Sequence, residues 1–217
     1  MKQKAVFFDL DGTISDSGPG ITRCAREALY HFGIPDPGDA AMRTFVGPPL
    51  RDMFRKYGVP GQEIETAMQV YRKNYLNGGI LECTMYPGIR ELLDALHQHG
   101  RRLFVATAKP EPMAVEVLEY FGILGEFEAV CGASLDKSRD SKAAVIRYLL
   151  EQLGECDAVM VGDTAFDVIG AAEHNIPTIG VSWGYGSAEE MKNAGAVAVA
   201  DTVDELIQIL CMEENGK

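Results

Sequence analysis

Positive charge is scarce in this sequence. Its 217 residues hold 20 lysines and arginines against 32 aspartates and glutamates, a formal net charge of −12. Such a chain is repelled by nucleic acid backbones and by anionic lipid surfaces, which argues against both as partners. An anionic substrate must then be drawn in by a local positive site, against the overall field. Cysteines are few and poorly placed for cross-links. Cys24, Cys83, Cys131, Cys156 and Cys211 are odd in number, and no two stand at CxxC spacing. This argues against a disulfide framework or a zinc site and for a reducing compartment. Long apolar runs are missing too. No stretch approaches the ~20 residues of a membrane span, and the N-terminal apolar run stops at Asp9, too short for a secretory signal. A cytoplasmic location is the expectation. The four histidines offer no metal pair. His97 and His99 point apart on a helix, and His31 and His174 lie near helix ends, where a dipole contact accounts for them.

What is present is ordinary for a folded chain, with 47% apolar and 24% charged residues. The length fits one large domain, or a core carrying a smaller insert, and can bury a core without cross-links. Short apolar runs at Ala5–Phe8, Leu103–Ala106, Ala129–Cys131, Ala158–Val161, Thr178–Val181 and Ala196–Val199 read as strands buried on both faces. Helical patterns separate them at Gly88–His99, Pro112–Phe121, Ser141–Leu153, Ala165–His174, Glu189–Ala194 and Val203–Leu210. This alternation predicts an α/β fold with a doubly wound, mostly parallel, Rossmann-like sheet.

One interval breaks the alternation. Between the first strand and Pro87 lie about seventy residues, far more than the short connections usual in such sheets. They carry helical patterns at Ile21–Phe32, Pro49–Tyr57 and Glu63–Tyr75, punctuated by glycine and proline. We read residues 15–87 as an inserted α-helical cap, hinged near Ser15–Gly18 and Gly79–Gly88. The core is then 1–14 with 88–217.

Four motifs sit where strands end. Asp9-Leu10-Asp11-Gly12-Thr13 follows the first strand. Two acids at the carboxyl edge of an open sheet repel each other unless a cation or proton lies between them, and Gly12 allows a turn that points N–H groups inward. A bare DxDG is more often a simple turn; the pentapeptide at this location favours a site. Thr107 and Ala108 end the second strand, where a hydroxyl and an N–H could hold phosphate oxygens or simply cap a helix. A loop with Lys137, Arg139 and Lys142 offers cations. Asp163 and Asp167, in Gly162-Asp163-Thr164-Ala165-Phe166-Asp167, follow the fourth core strand, with Asp163 as ligand or as helix cap.

With these motifs in this order the sequence resembles the haloacid dehalogenase superfamily, specifically its phosphatases with a helical cap, over nearly the whole chain. The resemblance implies that Asp9 is the nucleophile and forms an aspartyl phosphate, and that Asp11 is the general acid and base. Mg2+ would be held by Asp9, the Asp11 backbone carbonyl and Asp163. Thr107, Ala108, Gly12 and a lysine would bind the phosphoryl group, and Asp167 would support the site. Family position makes that lysine Lys142, with Lys137 and Arg139 as alternatives; the chain reads Lys142-Ala143 where the family usually has Lys-Pro. Asp11 argues against a dehalogenase. Phe45-Val46-Gly47-Pro48-Pro49-Leu50 groups the chain with phosphoglycolate phosphatase-like and 5′-nucleotidase-like members. The implied partner is a small-molecule phosphate ester. A β-phosphoglucomutase-like mutase is the nearest rival, and a non-catalytic phospho-ligand-binding protein is the rival from another class. Arg51, at a loop-to-helix junction in the cap, is either a substrate contact or a solvated helix residue. Oligomeric state is left open.

Overall fold

The computed structural model describes residues 4–136, 138–154 and 156–211. The chain divides into two compact units, one the described residues of Met1–Ser15 and Met85–Lys217, the other Asp16–Thr84. In the first unit, strand β1 (Ala5–Phe8) leads to the two-residue strand β2 (Ser15–Asp16), where the chain departs for the second unit. That unit contains helices α1 (Gly18–His31), α2 (Asp39–Arg43), α3 (Leu50–Lys56) and α4 (Ile64–Leu76). The chain returns through β3 (Thr84–Met85). Helix α5 (Ile89–Gln98) and strand β4 (Arg102–Pro110) follow, then α6 (Glu111–Phe121) and β5 (Ala129–Ala133). The rest alternates as α7 (Lys142–Leu153), β6 (Ala158–Gly162), α8 (Ala165–Ala172), β7 (Thr178–Val181), α9 (Ala188–Ala194), β8 (Ala198–Ala200) and α10 (Val203–Cys211).

Six strands form one parallel sheet in the order β5-β4-β1-β6-β7-β8. The chain winds outward from β1 to β4 and β5, then returns to the other side of β1 for β6. This is the doubly wound order in which a crevice opens beyond the carboxyl ends of the two central strands. Here those are β1 and β6, with Phe8 level with Val161. The same register sets Phe8 level with Val105 of β4, so the residues after Phe8, Val105 and Val161 emerge side by side.

Both faces of the central strands are apolar because both are covered. Every residue of β1 and β6 is buried. On one face Phe7, Phe104 and Met160 pack with Val145, Ile146 and Leu149 of α7 and Ala171 of α8. Phe7 meets Phe104 edge-on at 5.6 Å, and Phe8, pointing the other way, meets Phe127 at 6.3 Å. This two-sided burial is what the unbroken apolar runs of the sequence encode.

Strand β4 runs further than Leu103–Ala106. Its register against β5 shifts between Ala106 and Pro110, an irregularity of the kind that re-aims side chains beside active sites. Its polar tail, Thr107 to Lys109, therefore belongs to the sheet edge, and the cap of α6 is Pro110 rather than Thr107. The helical unit has its own core. Phe45 stacks on Tyr57 at 5.1 Å, Tyr71 on Tyr75 at 5.4 Å, and Phe54 bridges the pairs through Phe45 and Tyr71. Helix α2 has five residues, too few to show a periodic pattern.

Phe104 is fully buried between the sheet and α7. Phe104→Ala should lower unfolding stability by about 3–5 kcal/mol, read from urea denaturation. A loss well under ~1 kcal/mol would contradict this placement.

Candidate active site

The site is built on the ends of β1, β4 and β6. The Asp9 N–H donates to the Val161 carbonyl at 2.9 Å, which extends the ladder one residue past β1 and carries Asp9 to the crevice. The chain then folds tightly back, with the N–H groups of Ile14 and Ser15 both on the Leu10 carbonyl, at 3.0 and 2.9 Å. Gly12 has φ of 89°, and a Cβ there would run into the Asp163 carboxylate. Glycine is needed both for the backbone conformation and for the approach of these two loops.

Lys142, the first residue of α7, lies nearly buried at the centre. Its ammonium is 2.8 Å from Asp9 Oδ1, 2.8 Å from Asp167 Oδ1, and donates to the Ala106 carbonyl at 2.9 Å. These three contacts match the three donors of a lysine. Ser141 caps the helix by accepting from the Ala144 N–H, which fixes where Lys142 begins. Asp9 Oδ1 also accepts from the Leu10 N–H at 2.7 Å. Asp167 is held from the other side by the N–H and hydroxyl of Thr164, at 3.1 and 2.9 Å. Thr164, not Asp163, is the N-cap of α8, so Asp163 is left to the crevice. There it accepts from the Tyr185 N–H at 2.8 Å and the Thr13 hydroxyl at 3.3 Å.

Burial and like charge set the electrostatics. Asp9, Asp163 and Asp167 each place an oxygen within 4.8 Å of the other two. Burial raises the pKa of Asp9; Lys142 opposes that rise and Asp167 adds to it. Burial pushes Asp163 well above the usual carboxylate range, with Asp167 and Asp9 contributing. Burial alone would depress Lys142, but Asp167 and Asp9 together outweigh it and hold the ammonium above the ordinary lysine range. With all three carboxylates ionised, one ammonium would leave two negative charges uncompensated, which is why burial and like charge raise Asp9 and Asp163. An all-oxygen donor set with that deficit fits a hard divalent cation.

Thr107 is buried and hydrogen-bonds Asp9, while Ala108 beside it is exposed at the strand end. The structure thus brings together Asp9, Gly12, Thr107, Lys142, Asp163 and Asp167. Asp11 stands alongside, and its partner is one that sequence reasoning missed: Lys109 Nζ lies 2.9 and 3.1 Å from its two carboxylate oxygens. Lys109 stands two residues after Thr107, but nothing local in the sequence signals that its ammonium meets Asp11. Arg139 is engaged elsewhere, donating to the Gly132 carbonyl and Glu111 and lying over the Tyr148 ring. Lys137 lies outside the described residues. Arg51 belongs to the helical unit, where its guanidinium pairs with Glu65.

Residues 6–181 match the family model of the haloacid dehalogenase-like hydrolases. The chain belongs to the haloacid dehalogenase-like hydrolase family. It is similar over nearly its full length to a crystal structure of a predicted phosphatase from Clostridium acetobutylicum, with 41% identity and a TM-score of 0.91, covering 96% of this chain and 98% of that one. A 5′-nucleotidase of Pseudomonas aeruginosa is 38% identical over 190 residues, 86% of each chain. A relative named tyrosine-protein kinase PtkA, from Mycobacterium tuberculosis, is 44% identical over 209 residues, 94% of this chain and 72% of that one.

In this family member the ammonium of Lys142 is placed to offset two buried carboxylates. Lys142→Met should destabilise the protein by about 3–5 kcal/mol, because one side of a buried ion pair is left alone. Millimolar Mg2+ should recover part of the loss by binding the folded state. Thermal unfolding with and without the ion checks both, and an unchanged melting temperature would contradict the charge balance described.

Proposed function

We propose that this hydrolase is a magnesium-dependent phosphomonoesterase that works through an aspartyl phosphate on Asp9. Its substrate is a small phosphorylated metabolite, of the phosphoglycolate or nucleoside 5′-monophosphate kind. The observation that carries the reading is the Asp9 carboxylate, fixed by Lys142 at 2.8 Å in the crevice beside Asp163.

Mg2+ would be held by Asp9, the Asp11 backbone carbonyl and Asp163, and would supply charge neutralisation for the phosphoryl group. The protein's own groups do the rest. The Thr107 hydroxyl, the Ala108 N–H and the turn at Gly12 receive the phosphoryl oxygens, and the Lys142 ammonium, bonded to Asp9, offsets their charge. An Asp9 oxygen bonds to phosphorus, the ester P–O bond breaks, and the departing oxygen takes a proton from Asp11. In the second half Asp11, now a carboxylate, takes a proton from water as the water oxygen bonds to phosphorus. The P–O bond to Asp9 breaks, releasing inorganic phosphate and restoring the carboxylate. Asp167 keeps Lys142 in place throughout.

The helical unit, as a cap over 15–87, would exclude water from the intermediate until hydrolysis and would select the substrate. Arg51 is the cap residue assigned to an anionic or polar substrate group, with its pairing to Glu65 as the resting partner. The unpaired state of all five cysteines is consistent with a cytoplasmic setting, and no helix among the described residues is long and apolar enough to cross a membrane.

The identity of the acceptor separates this reading from its rivals. Water gives a phosphatase, a sugar hydroxyl gives a mutase, and a tyrosine hydroxyl would give the activity for which the relative PtkA is named. A panel of phosphoglycolate, nucleoside 5′-monophosphates and sugar phosphates, with ATP and a tyrosine peptide as a further arm, distinguishes them. We expect release of inorganic phosphate from one ester class, stopped by a chelator. Isomerised sugar phosphate or phosphopeptide as the main product would replace the reading, and binding with no turnover of any ester would favour a phospho-ligand-binding protein.

Asp9→Asn should abolish turnover by several orders of magnitude while leaving circular dichroism unchanged, since an amide is nearly isosteric but a poor nucleophile. Near-wild-type rates in this variant would remove Asp9 from the role. Arg51→Ala should lower kcat/KM for the preferred ester and barely alter acetyl phosphate hydrolysis; an unchanged preference across the panel would place Arg51 outside the substrate site.

A further inference from the structure

The segment Trp183-Gly184-Tyr185-Gly186, which follows β7, takes no part in the steps above, yet it touches both loops that would hold the cation. The Trp183 indole N–H donates to the Thr13 carbonyl at 3.1 Å, at the end of the Asp9–Thr13 turn. The Tyr185 backbone N–H donates to Asp163 Oδ2 at 2.8 Å. The Thr13 hydroxyl reaches Asp163 Oδ1 at 3.3 Å, so both oxygens of this fully buried carboxylate have a donor. Gly184 lies so close that any Cβ would strike the Asp163 carboxylate. The chain of contacts runs from Trp183 to Thr13 to Asp163 and back to Tyr185.

We propose that Trp183–Gly186 is a positioning segment: it sets the Asp163 carboxylate and the Asp9–Thr13 turn against each other for cation binding, without supplying a ligand itself. The proposal rests on the reading of Asp9 and Asp163 as cation ligands. Groups that orient a ligand typically alter metal affinity by about 10–100-fold when changed. A side chain at position 184 must displace Asp163, and loss of the indole donor frees the turn. Trp183 is also the only tryptophan in the chain, and its indole is bonded to the turn that carries Asp9, so its emission reports on that turn.

The test is a titration of the full chain with Mg2+ alone, read by calorimetry and, for chains retaining Trp183, by tryptophan emission. Wild type, Gly184→Ala, Trp183→Phe and Asp163→Ala are compared, each first checked by thermal unfolding in excess chelator. We expect wild-type emission to change along the calorimetric curve. Mg2+ affinity should fall about 10–100-fold in Gly184→Ala and in the same direction, by less, in Trp183→Phe. Saturating Mg2+ should restore most of the lost turnover in both. Should Gly184→Ala fail to fold, Trp183→Phe carries the test, because it keeps an aromatic body and removes only the donor. Wild-type affinity in the folded variants, with Asp163→Ala impaired, overturns the positioning proposal and leaves the cation site standing. Absence of Mg2+ binding in wild type overturns the cation reading itself, and the proposal with it.

Discussion

Lys142 holds Asp9 and Asp167 at 2.8 Å each and spends its remaining donor on the Ala106 carbonyl. Asp9 follows β1, Ala106 lies in β4 and Asp167 stands in the first turn of α8 after β6, so one ammonium ties these three parts of the sheet edge together. Without it, three buried carboxylates would stand together with no cationic side chain among them. With it, and with all three carboxylates ionised, the site would still be short of two positive charges. Such a deficit suits a divalent cation, and under the proposed function that cation would draw in a phosphoryl group despite the net charge of −12 on the chain.

The fold makes this convergence possible. Parallel strands buried on both faces place all their carboxyl ends on one edge of the sheet, and the reversal of winding at β1 opens that edge between β1 and β6. Gly12 then lets the turn after Asp9 approach Asp163 closely enough to share hydrogen bonds through Thr13. At the end of β4, where its register against β5 shifts, Thr107 meets Asp9 and Lys109 meets Asp11. Packing of Phe7, Phe104 and Met160 against α7 and α8 holds both helices in place, and with them Lys142 and Asp167.

Much of this was legible in the sequence because it depends on local patterns. Apolar runs ending in Asp or Gly mark the strands, and the acids that follow them mark the edge. Asp9 stands out through its full pentapeptide after a strand, whereas the roles of Asp163 and Asp167 needed the family resemblance. Lys142 needed the resemblance to be preferred over Arg139, since a loop cation carries no local sign of what it faces. The difference between them is tertiary: Lys142 is drawn into the crevice, while Arg139 is captured by Glu111 and Tyr148. The partner of Lys109 was beyond reach for the same reason; Trp183–Gly186 reads as a loop after the fifth strand, either at the site mouth or simply packed, but its partners too were out of reach. Each meets its partner across a long stretch of chain, through a register shift in one case and a loop apposition in the other. The five-residue helix α2 fell below the length at which periodicity can be seen.

The central claim is that Asp9 becomes covalently phosphorylated. Rapid acid quench of the enzyme with a phosphate ester and Mg2+, followed by peptide mass spectrometry, tests it most directly. The account predicts a hydroxylamine-labile phosphate on the peptide carrying Asp9, appearing before inorganic phosphate accumulates and absent from Asp9→Asn. Release of inorganic phosphate with no label on Asp9 at any quench time, or label on another residue that persists in Asp9→Asn, would contradict it.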